Sequence, residues 1–152
     1  MQVTVDIEIN QPKARVWAAI TAVENFSKMI PSITDLKVLS QPENGIVGLK
    51  WQETRLMFGK EASETMWITE AVDNEYYYTR AENHGAIYIT KMALSEATDS
   101  KSTLLTMSFT SEAQSPFVKI ISAVMGVLMK RPMGKLLRKD LADIKQYVES
   151  TP

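Results

Sequence analysis

The period of the sequence changes at Ser115-Pro116, and this change limits the fold more than any other feature. Ser115 suits a helix N-cap, because its hydroxyl can accept an orphan N–H of the first turn, and Pro116 is tolerated just inside a helix. Residues 117–130 are apolar nearly all round. Gly126 and Pro132 mark a weak point where a helix is expected to kink or break. From Met133 the pattern is cleanly amphipathic. Leu137, Leu141, Ile144 and Val148 recur in steps of four, three and four, while Arg138, Lys139, Asp143 and Lys145 face elsewhere.

Upstream the period is two. Val3, Val5, Ile7 and Ile9 alternate with Thr4, Asp6 and Glu8, which predicts a half-buried strand over 3–9. Asn10 is expected to cap a first short helix with Pro12 in its first turn and Val16, Trp17, Ile20 and Val23 at helical spacing. A second short helix over 24–29 stops before Pro31. Strands are then expected over 33–40, 47–58, 61–72, 75–82, 87–94 and 103–111. Turns at 41–45, Gly59, Asp73-Asn74 and Asn83-His84-Gly85 separate them. Short connections of this kind make the sheet antiparallel. The expected architecture is α+β: a curved antiparallel sheet of about seven strands around a long C-terminal helix, with two short helices after the first strand. Helix 133–149 is the only element long and apolar enough to cover the sheet, and a curled sheet around one helix leaves space between them. No linker, repeat or low-complexity tract interrupts residues 1–152, so one domain is expected.

Composition excludes several functions. The 152 residues carry 17 basic and 18 acidic side chains, a net charge of −1, unlike a basic nucleic-acid-coating protein. There is no cysteine and one histidine, His84, which rules out thiolate and multi-histidine metal sites. His84 reads as an exposed turn residue, with a pH-sensing or catalytic role as the alternative. No glycine-rich phosphate loop, HExxH or GxSxG motif is present, so no cofactor or metal is expected. The N-terminus has neither a basic region nor an apolar block, and the apolar stretch 117–129 is too short to span a bilayer. A cytoplasmic location without stable membrane insertion is expected.

Several segments together resemble a known family. They are Pro12, Val16 and Trp17 in a Pro-x-x-x-Val-Trp pattern and Asn25, Phe26, Ile30 and Pro31 in Asn-Phe-x-x-x-Ile-Pro. Gly45 to Gly48, Ile68-Thr69-Glu70, Ser102-Thr103-Leu104-Leu105 and the segment LLRKDLADIKQYVE at 136–149 add to them. The chain resembles the polyketide cyclase/dehydrase branch of the SRPBCC (START-like, pollen-allergen-like) superfamily over essentially its whole length. The resemblance implies a helix-grip fold around a deep hydrophobic cavity. Members are similar in fold but include cyclases, lipid or hormone carriers and regulators.

The strand at 51–57 carries the most informative constellation. Trp51, Glu53, Arg55 and Met57 share one face, and Lys50, Gln52 and Thr54 the other. If Trp51 is inward, a charged pair enters an apolar space, which is costly unless partnered and so marks a functional candidate. The alternative is reversed parity with both charges in solvent. The resemblance implies that Arg55 orients a polar ligand, as an inward arginine does in the aromatic cyclases. Its spare guanidinium donors are the expected anchor for a carboxylate or carbonyl. On this reading Arg55→Met spares or raises stability, and loss of Glu53 alone costs more.

Tyr76 and Tyr78 share a strand face and can present hydroxyls to a pocket, with cross-strand aromatic packing as the alternative. Tyr88 and Met92 on the next strand, and Met107 and Phe109 on the last, are expected inside. Nine methionines suit irregular apolar space, and Val124 and Met125 are expected to complete the wall. Lys130, Arg131, Lys135, Arg138 and Lys139 read as a solvated helix face, with an anionic ligand or a membrane surface as the alternative. The function expected from these features is binding or transport of a small hydrophobic or amphipathic molecule in an internal cavity. Two alternatives stay open. One is a cyclase/dehydratase-like enzyme in which Arg55 and tyrosine hydroxyls polarise a carbonyl. The other is a non-enzymatic adaptor that binds a protein partner through 117–130, and a homodimer is a further partner alternative.

Overall fold

Val3, Val5 and Ile9 are buried while Thr4, Asp6 and Glu8 are exposed, so the alternating N-terminal segment forms a one-sided strand, β1 (Gln2–Ile9). This is seen in a computed structural model that describes residues 1–83, 85–99 and 101–151. After β1 come α1 (Lys13–Thr21), a single 3-10 turn (Val23–Asn25) and α2 (Phe26–Met29). Six further strands follow: β2 (Ile33–Ser40), β3 (Lys50–Met57), β4 (Lys60–Val72), β5 (Tyr76–Asn83), β6 (Ala86–Glu96) and β7 (Thr103–Ala113). The chain then runs into α3 (Pro116–Ser150). The strands form one antiparallel sheet in the order β1-β7-β6-β5-β4-β3-β2. This is the curved sheet and long terminal helix of a helix-grip fold, with the short helices where the sequence places them.

β1 and β2 are neighbours in sequence but lie at opposite edges of the sheet. Residues 10–32 must therefore cross from one edge to the other. The helices in that crossing close one end of the concave face, where Ile20, Phe26 and Met29 turn inward. α3 covers the rest. Leu137, Leu141, Ile144 and Val148 are each at most 5% exposed against the sheet. Burying side chains of this size stabilises by about 1.5–3 kcal/mol each. Polar contacts fix the C-terminal end of α3 to the end of β1: the Asn10 N–H donates to Glu149 Oε2 at 2.7 Å, and Lys145 Nζ donates to the Glu8 carbonyl at 2.8 Å.

Three local expectations are corrected. Asn10 does not cap α1. Pro12 holds the cap position without a side-chain bond, and the Asn10 side chain instead accepts from Ser102 Oγ at 3.2 Å. The strand expected over 47–58 begins only at Lys50. Gly48 has φ +94°, outside extended geometry, and its N–H donates to the Ile68 carbonyl at 2.8 Å. The terminal helix is not interrupted at Gly126 or Pro132; its 35 residues form one helix. Pro132 has no N–H to offer the Leu128 carbonyl, but Leu128 is exposed, so water can satisfy that oxygen. Ser115 does cap the helix, its hydroxyl accepting the Val118 N–H at 3.2 Å. The turn role expected of His84 falls outside the described residues.

Leu141, 1% exposed at the centre of the inner stripe, is the most direct test of this packing. Leu141→Ala should lower stability by about 2–5 kcal/mol, measured by urea unfolding. A loss no larger than that of an exposed substitution would contradict the placement of α3.

Candidate functional site

Cross-strand partners in an antiparallel sheet share a face, so one inward residue sets the parity of its neighbours. Trp51 is buried and pairs with Met66, Met66 with Ala81, and Ala81 with Tyr88. A second row runs from Tyr77 through Met92 and Met107 to Val5. These two rows form much of the concave wall. Between wall and helix lies a cavity of about 280 Å³. It is mainly apolar, with methionine prominent at Met57, Met66, Met92, Met107 and Met133.

One end of the cavity is charged. Trp51 Nε1 donates to Glu53 Oε1 at 3.0 Å, and Arg55 Nε donates to Glu53 Oε2 at 3.3 Å. Arg55 Nη1 donates to Asp140 Oδ2 on α3 at 2.8 Å. A guanidinium thus lies between two buried carboxylates and ties β3 to the helix. Burial alone would lower the pKa of Arg55, but Asp140 and Glu53 together outweigh it and hold the group above its ordinary value. For Asp140 the balance is reversed. Burial lifts its pKa, and Arg55 only partly opposes that. Its second oxygen, Oδ1, is buried without a hydrogen-bond partner. Glu64 on β4 also lines the cavity, and its pKa is pushed up by burial, opposed by a hydrogen bond with Asn83. With all groups ionised, three carboxylates face one guanidinium. Among the described residues no acidic or histidine cluster converges as a metal-ligating set.

Trp51, Glu53, Arg55, Tyr88, Met92, Met107 and Phe109 all line this cavity, the Tyr88 and Phe109 rings stacked at 5.9 Å. Tyr76 and Tyr78 do not. The register puts Tyr77, Thr79 and Ala81 inward, so the two flanking tyrosines point to the outer surface. There their rings meet edge-to-face at 5.7 Å under the Lys91 ammonium, and the Tyr76 hydroxyl donates to Glu70 Oε2 at 2.7 Å. Of the three consecutive tyrosines, Tyr77 is the one that lines the pocket, and its hydroxyl donates to the Ile20 carbonyl at 2.7 Å. Val124 and Met125 are also outside. The inner line of α3, traced back from Leu137, passes through Met133, Met129, Gly126, Ser122 and Val118, and leaves both residues in solvent.

Sequence reasoning missed Glu64, Tyr77 and, within the ion cluster, Asp140. Asp140 sits three after Leu137 and four before Ile144, a carboxylate inside an apolar stripe, and that misplacement was the available signal. It also reverses the expectation for Arg55. Removing the arginine leaves two buried carboxylates without their counter-charge, whereas removing Glu53 leaves Arg55 paired to Asp140. Arg55→Met should therefore cost about 3–5 kcal/mol in urea unfolding, and more than Glu53→Gln. A stable Arg55→Met protein would show that the triad is not coupled. The pH response follows from the sign of the Asp140 shift. A carboxyl whose pKa is raised by folding favours the fold in its protonated form. That contribution is full below the ordinary carboxylate range and is lost as pH rises through the raised value. Asp140→Asn, locked neutral, should gain stability relative to the unsubstituted chain as pH rises from acid to neutral. A difference in urea midpoint that stays constant with pH would assign the burial cost elsewhere.

Comparisons with known proteins place this architecture. The model of the family described as polyketide cyclase/dehydrase and lipid transport matches residues 1–149. No curated protein matches the chain by sequence. Among solved structures, a START superfamily protein from Mycobacterium smegmatis is similar with TM-score 0.80 and 15% identity, covering 97% of each chain. A Thermus thermophilus protein has TM-score 0.77 and 15% identity over 97% of each chain. The Zhui aromatase/cyclase from a Streptomyces species has TM-score 0.71 and 13% identity, covering 98% of this chain and 93% of its own. At these identities the structural likeness is one of fold. The chain belongs to the polyketide cyclase/dehydrase and lipid transport family.

Proposed function

We propose that this member of the polyketide cyclase/dehydrase and lipid transport family binds one small amphipathic molecule, its apolar body in the cavity and a hydrogen-bond-donating head at Glu53, Arg55 and Asp140. The observation that carries the reading is an apolar cavity ending on a cluster with more carboxylate than guanidinium. The apolar wall supplies affinity and a few polar groups fix orientation, the usual division of work in small-molecule sites. A volume of about 280 Å³ lies at the lower edge of such sites, roughly 300–1,000 Å³. It suits one short chain or a small ring system rather than a two-chain lipid.

The head-group preference departs from the carboxylate anchor that the strand alone suggested. Arg55 already spends its Nε and Nη1 donors on Glu53 and Asp140. An incoming carboxylate would add a negative charge beside Glu53, Glu64 and Asp140. An alcohol or amine instead offers a donor to the carboxylates of this acid-rich cluster.

A second reading rests on a separate observation. Asp140 and Glu64 both have pKa values raised by burial at the cavity wall, which suits proton donation to a bound carbonyl compound in cyclase/dehydratase-like chemistry. Turnover lost in Asp140→Asn with ligand binding retained would favour it.

The test of the binding reading is calorimetric titration with decanol, decylamine and decanoic acid. At neutral pH the alcohol or the amine should bind at least about ten-fold more tightly than the acid, since each 1.4 kcal/mol is one decade. The gap should narrow as the acid is protonated. An acid that binds as tightly as both would remove the donor-head reading, and no binding by any of the three would remove ligand carriage.

A further inference from the structure

We propose that the outer face of the first half of α3 is a docking surface for an anionic phospholipid bilayer. Phe117, Ile121, Val124 and Leu128 follow one another in steps of four, three and four along the outside of the helix. All four are exposed, Phe117 to 72%, and neighbouring Val127 reaches 82%. This row lies opposite the face that packs on the sheet. A contiguous apolar surface of this kind, left in water, marks an interaction site.

What covers it is indicated by the same row farther along. The next steps of three, four and three reach Arg131, Lys135 and Arg138, all exposed. From Pro116 to Lys139 the chain contains no acidic residue. One stripe is therefore apolar for three turns and cationic for the next two. Two copies laid stripe on stripe would bring the same acid-free row to both sides and could not neutralise it. A bilayer with anionic headgroups supplies both parts, acyl chains for the apolar half and phosphates for the cations. The apolar half is about 18 Å long, too short to span a hydrocarbon core of about 30 Å, so it lies at the interface. This agrees with the absence, among the described residues, of any helix long and apolar enough to cross a membrane.

The β3–β4 turn makes the same argument from a different element. Phe58 is 55% exposed at its tip with φ +50°, a left-handed conformation unfavourable for a bulky residue. Local folding does not require an aromatic there, since such a turn prefers Asn or Asp before Gly. Phe58 sits beside Arg131, Lys135 and Lys139, and Leu136 beneath it also lines the ligand cavity. An exposed aromatic beside the cationic part of the stripe is the arrangement of an interfacial anchor. The surface stands independently of what the cavity holds.

Vesicle co-sedimentation tests it, using phosphatidylcholine alone and phosphatidylcholine with phosphatidylserine. The protein should bind the anionic vesicles, release in high salt and leave the neutral ones largely free. Lys135→Gln with Arg138→Gln should weaken binding by roughly 25-fold, about five-fold per cation. Val127→Ser with Leu128→Ser should weaken it at least about ten-fold at unchanged charge. All four side chains are exposed, so far-UV circular dichroism and decanol binding should be unaffected. No binding to either vesicle, or binding indifferent to both pairs of substitutions, would overturn the proposal. A concentration-dependent dimer in sedimentation equilibrium, abolished by the serine pair and without vesicle binding, would overturn it in favour of self-association.

Discussion

A curled sheet with one apolar concave face must be covered, and here one helix does most of the covering. That constraint organises the molecule. α3 packs mainly against β1 and β7 and buries Leu137, Leu141, Ile144 and Val148, while α1 and α2 close the end that the β1–β2 crossing spans. A single helix is about 10–12 Å across with its side chains. It cannot fill a seven-stranded concavity, and the remaining space is the cavity. Methionine lines much of that space, as its flexible, unbranched side chain suits an irregular wall.

The polar end of the cavity works against this economy. Desolvating a guanidinium and two carboxylates is costly, and a hydrophobic set of similar volume would often be as stable. What the ions add is a defined connection between sheet and helix, Glu53–Arg55 on β3 and Asp140 on α3, at the point where a ligand head would lie. The unpartnered Asp140 oxygen and the upward shifts of Asp140 and Glu64 arise from the same burial. Stability is given up where recognition would occur, a common pattern at functional sites.

The two halves of α3 divide the remaining work. The second half is one-sided, apolar inward and charged outward. The first half is apolar on both sides, and only its inner line packs on the protein. The cationic continuation of that outward stripe lies beside Leu136 and Phe58, and Leu136 also lines the cavity. A bilayer on that face would bring the source of an apolar ligand next to its destination.

The sequence by itself determined the element order, the antiparallel sheet and the packed half of the terminal helix, and it grouped Trp51, Glu53, Arg55 and Met57 on one face of β3 without deciding which way that face points. Each of these depends on a local period: two along Val3 to Ile9 and Trp51 to Met57, nearly four along Leu137 to Val148. Tertiary structure decided what has no local period. Three consecutive tyrosines read the same in either parity, and only the register running from Trp51 through Met66 to Ala81 turned Tyr77 inward and Tyr76 and Tyr78 outward. Segment 117–130 is apolar nearly all round, so its inner face is set by the rigid continuation of the helix from Leu137, which left Val124 and Met125 outside. Asp140 became part of the site because folding brings it within 2.8 Å of Arg55, a residue 85 positions away. Its charge was legible as an intruder in an apolar stripe, but its partner was not. A long-range ion pair leaves no mark in the spacing of either segment, because its geometry exists only once sheet and helix have met.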